Sequence, residues 1–121
     1  MGAITKDEDD GTVVIDHEAC IGCSSCVNAC PYSVPRIDEA SGFSYKCDGC
    51  IELRKQGYQP ACVEACPYRA LDFGDVEELQ QRYGADLVTS LPAMGEGKTG
   101  PNTYIKPRPV ALDGLGVPIT L

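Results

Sequence analysis

Eight cysteines fall into two groups of four: Cys20, Cys23, Cys26 and Cys30, followed by Pro31, and Cys47, Cys50, Cys62 and Cys66, followed by Pro67. The spacings are C-x2-C-x2-C-x3-C-P and C-x2-C-x11-C-x3-C-P. Three cysteines two residues apart wrap a tight loop that can present three thiolates around one corner of a metal cluster, while the fourth, one turn later, faces away. Few large apolar side chains stand beside them. Leu, Ile, Val and Phe number 26 of 121 residues, about 21%, close to the range in which chains stay disordered. Ordering a residue costs about 1.5 kcal/mol, so a chain this poor in apolar volume needs a cross-link or a metal to hold one small domain.

The first spacing is the bacterial ligand run for a pair of [4Fe-4S] clusters, in which the fourth cysteine serves the other cluster. The second repeats it with nine more residues between the second and third ligands, which lengthens one loop and leaves the ligand count intact. Two rival chemistries fit less well. Structural zinc takes well-separated cysteine pairs, and three cysteines at x2, x2 leave one superfluous. A disulfide network suits a secreted chain, and no secretory segment is visible here. Two [4Fe-4S] clusters on all eight cysteines are the expected cofactors. With its four thiolates, each carries two negative charges oxidised and three reduced, and its one-electron chemistry needs no acid, base or nucleophile. None is arranged here: His17 stands alone and is expected at the surface, so no catalytic residue and no enzyme activity of its own is expected.

An internal repeat organises the chain. Cys26-Val27-Asn28-Ala29-Cys30-Pro31-Tyr32 and Cys62-Val63-Glu64-Ala65-Cys66-Pro67-Tyr68 agree at six of seven positions, 36 residues apart. This implies two copies of one supersecondary unit, each too small to bury a face alone. Thr12 to Ile15 reads as a strand after an acidic, solvated turn at Asp7 to Gly11. Pro35 to Ile37 and Phe43 to Lys46 read as a hairpin, and Ala70 to Phe73 as a further strand. Val76 to Tyr83 reads as a two-turn amphipathic helix capped by Asp75, with Glu78 in a capping box, and ended by Gly84. From Val88 onward, Pro and Gly make up 10 of 34 residues, including Pro92, Pro101, Pro107, Pro109 and Pro118. That tail is expected to be extended, without regular helix. The fold class is therefore α+β, with residues 1–87 as the cluster domain, its last helix at 75–84, and residues 88–121 as an extended tail, either loose or docked over a partner.

Smaller expectations concern single residues. Arg54 and Lys55 lie in the long loop, either as a cationic pair that favours a reduced cluster or meets an acidic partner, or as solvated charges. Tyr32 and Tyr68 are expected against the clusters, with ordinary apolar filler as the other reading. A net charge of -8 argues against nucleic acid or an anionic membrane surface as partner. No apolar run approaches a membrane span, and MGAITKDEDD has neither a basic n-region nor an apolar h-region, so no export signal of the chain's own is expected.

The run KCDGC, the long loop, CVEACPYRALDFG and the helix ending in YG together resemble the iron-sulfur electron-transfer subunit of dimethyl sulfoxide reductase-type molybdoenzymes. The segment TGPNTYIKP resembles that family's extended C-terminal arm. The resemblance implies a ferredoxin-like two-cluster fold that relays single electrons between a molybdopterin-containing catalytic subunit and a quinone-linked membrane anchor subunit. It also implies a peripheral place in a membrane-associated complex, cytoplasmic or exported already folded with a partner. Family members carry four cysteine groups in a chain nearly twice as long, and this sequence resembles the third and fourth. Its opening resembles the segment after the second group, which would make Met1 internal. Family pairing would join the third group to the second and the fourth to the first. Within this chain alone, Cys20, Cys23 and Cys26 pair with Cys66, and Cys47, Cys50 and Cys62 with Cys30. A free two-cluster ferredoxin and a non-autonomous fragment of a four-cluster subunit are the competing readings.

Overall fold

The computed structural model describes residues 2–94 and 97–113. The chain divides into two compact units, Met1–Leu71 and Asp72–Leu121, and all eight cysteines belong to the first.

In the first unit, β1 (Ile4–Lys6) pairs antiparallel with β2 (Val13–Ile15), with Ile4 opposite Ile15 and Lys6 opposite Val13. The β2 strand was expected, and its partner β1 was not. Aspartates build the turn between them. The Asp7 carboxylate accepts from the amides of Asp9 and Asp10 at 2.8 and 3.1 Å, and the Asp10 carboxylate accepts from Thr12 N–H at 2.8 Å. Gly11 supplies the positive φ, 72°, that closes the turn. The acidic run is thus a hydrogen-bonded hairpin turn rather than a merely solvated one. The hydroxyl and amide of Thr12, followed by Arg54, hold the Asp10 carboxyl down at about 2.

The second hairpin joins β3 (Arg36–Ile37) to β4 (Ser44–Tyr45), with Arg36 opposite Tyr45 and Ile37 opposite Ser44. Three one-turn helices complete the unit: α1 (Ser25–Ala29), α2 (Ile51–Lys55) and α3 (Ala61–Ala65). The first and third sit 36 residues apart at both ends, so the sequence repeat is also a repeat of structure. The copies match beyond the helix as well. Ser33 and Arg69 both take positive φ, 54° and 51°, and each donates its N–H to the carbonyl of the preceding cysteine, Cys30 or Cys66, at 3.2 Å.

Ala70 to Phe73, expected as a strand, is not one. Its donors are engaged elsewhere: Ala70 N–H points at the Cys66 sulfur at 3.3 Å, and Phe73 N–H bonds the Asp72 carboxylate at 2.8 Å. Arg54 departs from both readings offered for it. Its guanidinium, only 19% exposed, donates to the Gly49 carbonyl at 2.8 Å, the Asp10 carboxylate at 3.0 Å and the Thr12 hydroxyl at 2.7 Å. Lys46 adds donations to the carbonyls of Val13 and Cys47. Two cations therefore tie the first hairpin to the Cys47–Cys50 loop, and Lys55 makes an exposed pair with Glu52 at 3.0 Å.

In the second unit, α4 (Val76–Tyr83) forms over the expected residues. Asp75 caps it by accepting from Glu77 N–H at 2.9 Å, and Gly84 ends it at φ 96°. The Asp72 carboxylate receives Arg82 at 2.7 Å and the Tyr83 hydroxyl at 2.6 Å. Val88 and Ile105 form an antiparallel bridge. The tail is not helix-free: α5 (Pro109–Leu112) opens on Pro109, where the first helical position needs no N–H. Pro118 lies outside the described residues. Among the described residues no helix is long and apolar enough to cross a membrane.

Three of the described residues are buried, Pro35, Ser44 and Pro60, and no Leu, Ile, Val, Phe or Tyr is among them. Backbone geometry around the cysteines is correspondingly demanding. A Cβ on Gly22, at φ 67°, would run into the Gly42 carbonyl oxygen, whereas one on Gly42, at φ 73°, would meet nothing. Gly42→Ala should cost only the backbone strain, about 1 kcal/mol. Gly22→Ala should cost clearly more and lower the thermal midpoint of anaerobically prepared protein further; equal losses would contradict the packing described.

Candidate metal centre

All eight cysteines are free thiols, so no disulfide network forms. Cys20, Cys26, Cys30, Cys50 and Cys66 are half-buried, and Cys23, Cys47 and Cys62 are exposed. The first three in sequence share one cleft. Cys20, Cys23 and Cys26 line a cavity of about 400 Å³, walled by Ile4, Ile15 and Ile21 and backed by Ser44. The loop reaches this shape through left-handed backbone at Gly22 and Ser24, which turn the chain between one ligand and the next. Cys66, the expected fourth partner, is not among the residues lining it. In the second group, Gly49 and Cys50 are left-handed at φ 67° and 53° and perform the same turn.

Hydrogen-bond donors surround the sulfurs. Val34 N–H points at Cys30 Sγ at 3.4 Å and Ala70 N–H at Cys66 Sγ at 3.3 Å, again equivalent positions of the two repeats. Gly49 N–H approaches Cys47 Sγ at 3.4 Å. As a thiol, Cys23 donates to the Ser25 hydroxyl oxygen at 3.3 Å, a contact the serine reverses once the sulfur is a thiolate, and Cys26 Sγ and the Ser44 hydroxyl lie 3.2 Å apart, where either can donate. These donors favour the thiolate form that ligates metal. The Cys30 thiol is lowered first by Val34 N–H, the Cys66 thiol first by Ala70 N–H, and the Cys23 thiol first by the Ser25 hydroxyl.

The donor set can be tested against possible occupants. Among the described residues, no three His, Cys, Asp or Glu side chains converge on one metal ion, as a tetrahedral zinc site requires. A cubane takes N–H donors to its sulfurs, and the loops offer such donors at Cys30, Cys47 and Cys66. None of the described Leu, Ile, Val, Phe or Tyr side chains of this unit is buried. The residues therefore fit [4Fe-4S] chemistry.

Three features escaped the sequence reading. His17, expected at the surface, is half-buried and packs on Phe43 and Tyr45, with ring centroids 5.7 and 4.2 Å away. Its Nε2 lies 3.0 Å from the Ser44 carbonyl, which can only accept, so Nε2 carries the proton. Ser44 itself is 1% exposed and faces Cys26. Strand alternation was the available signal, since Phe43 and Tyr45 flank Ser44 and leave it to the opposite face. The third feature is the Arg54 clamp. Of the two tyrosines, Tyr32 is half-buried, while Tyr68 is 89% exposed and fills no space inside the chain.

Comparison with known proteins agrees with this chemistry. The model of the 4Fe-4S dicluster domain matches residues 1–76. The B subunit of the anaerobic dimethyl sulfoxide reductase of Escherichia coli is 48% identical over 106 residues, covering 88% of this chain and 51% of the relative. The corresponding subunit from Haemophilus influenzae is 44% identical over 110 residues, covering 91% and 53%. An iron-sulfur subunit of formate dehydrogenase from the same organism is 35% identical over 91 residues, covering 75% of this chain and 29% of the relative. The chain thus spans about half the length of the reductase subunits it matches. With paired cysteine loops, thiolate-directed amides and these relatives, the chain is shown to belong to the 4Fe-4S dicluster domain family, among proteins similar to the iron-sulfur subunit of dimethyl sulfoxide reductase.

Proposed function

We propose that the chain is an electron-transfer subunit that carries single electrons between a quinone-linked membrane anchor and a molybdopterin-containing catalytic subunit, without a catalytic site of its own. The observation that carries this reading is the pair of equivalent amide-to-sulfur contacts at Cys30 and Cys66, set in two copies of one cysteine-bearing helix. When bound, a [4Fe-4S] cluster supplies one-electron transfer with no proton or group transferred.

The chain's own residues do the rest. If the two groups complete each other, Cys20, Cys23, Cys26 and Cys66 would hold one cluster and Cys47, Cys50, Cys62 and Cys30 the other. The amides of Val34, Gly49 and Ala70 offset the negative charge gathered on the sulfurs. Ile4, Ile15 and Ile21 give the cleft beside the first set an apolar wall. Residues 88–121 serve as a docking arm on the catalytic partner; Val110 and Leu112, 58% and 50% exposed, offer it apolar contact. The names of the relatives, a reductase subunit and a dehydrogenase iron-sulfur subunit, support a place in a larger oxidoreductase complex.

Three outcomes are expected. Cys66→Ser should convert one cluster to an iron-deficient form with a new EPR signal in the oxidised protein and leave the second intact; loss of neither, or of both, argues against the pairing. Stripping iron with ferricyanide and a chelator should abolish the dispersion of amide signals from Met1–Leu71 in NMR spectra, because ligation and folding are coupled; a well-dispersed metal-free spectrum would contradict this. Truncation after Gly84 should leave cluster content unchanged and abolish co-purification of the catalytic subunit. An intact complex would refute the docking arm.

A further inference from the structure

The hydroxyl of Ser44 is the polar side chain in the described structure most completely removed from water, at 1% exposure. It lies 3.2 Å from Cys26 Sγ. A ligating cysteine is a thiolate with no proton to give, so in that state the hydroxyl is the donor and the sulfur the acceptor. The fold holds Ser44 there from two sides. It stands opposite Ile37 of β3, and His17 Nε2 donates to its carbonyl while packing on the flanking Phe43 and Tyr45.

The same ligand loop carries a second hydroxyl in a contrasting setting. Ser25 lies 3.3 Å from Cys23 Sγ, and both residues are exposed. Water competes for that sulfur and can replace the serine once it is removed. Ser44 is itself shielded from water and Cys26 is half-buried, so solvent replaces this hydroxyl less readily than that of Ser25.

We propose that Ser44 is the residue that sets the reduction potential of the cluster bound by Cys20, Cys23 and Cys26, by donating a buried hydrogen bond to the Cys26 thiolate. This inference rests on the electron-transfer reading above. One-electron reduction adds one negative charge to the ligand set, with no bond made or broken and no proton moved. A donor at sulfur stabilises the more negative state and therefore raises the potential. Ser44 acts as a positioning and tuning residue, not as a ligand.

The test is an EPR-monitored redox titration of anaerobically purified protein, with dithionite as reductant and with whatever partners it carries, alongside iron and sulfide analysis. Ser44→Ala should keep the iron content of the parent and shift one cluster to lower potential, the other staying in place. Ser25→Ala should shift that same cluster by less. Ser44→Thr, which keeps the hydroxyl, should return the potential toward the parent value. Unchanged potentials in a fully loaded Ser44→Ala protein, or an equal shift in both clusters, would overturn the proposal. Loss of iron from Ser44→Ala that Ser44→Thr does not restore would also overturn it, because it assigns Ser44 a packing role alone. A parent protein without iron would instead overturn the electron-transfer reading itself.

Discussion

A polypeptide that cannot bury a core must be held from inside by something else, and this constraint governs the whole first unit. Among the described residues only Pro35, Ser44 and Pro60 are buried, while Ile21, Tyr58 and Tyr68 remain largely in water. Two-stranded hairpins and one-turn helices have little stability alone. Thiolate bonds to metal are strong enough to replace an apolar interior, as small metal-bound domains demonstrate. The chain is a member of the 4Fe-4S dicluster domain family.

The remaining interactions shape the cysteine loops. Left-handed backbone at Gly22, Ser24, Gly49 and Cys50 turns each loop between one sulfur and the next. Gly22 is also where a side chain would collide with the second hairpin's turn. Arg54 joins the Gly49 carbonyl of the Cys47–Cys50 loop to the Asp10 carboxylate and Thr12 hydroxyl of the first hairpin, and Lys46 joins the carbonyls of Cys47 and Val13. The two repeats then repeat their sulfur contacts as well as their helices.

The cysteine spacing, the repeat and the residues of α4 were legible because each follows from local rules: ligand arithmetic, self-similarity, and a capped amphipathic helix. The β1 strand was missed because Ile4–Lys6 is three residues long with no alternation to read, and its pairing depends on a turn made by aspartate side chains. Ala70 to Phe73 has strand-like composition, but Cys66 draws its first amide out of any ladder. Pro109 reads as a helix breaker in a Pro-rich tail, although the opening position of a helix tolerates it. His17, Ser44 and Arg54 owe their roles to partners 27, 18 and 44 residues away, a distance over which sequence pattern carries little information.

What the eight cysteines hold decides everything built on them. Iron and acid-labile sulfide should be measured per chain on anaerobically prepared protein, with EPR after reduction. Two cysteine groups that complete one another predict about eight irons and eight sulfides, with signals of two spin-coupled [4Fe-4S] clusters. Iron near zero, zinc in its place, or clusters short of one iron each would contradict that arrangement.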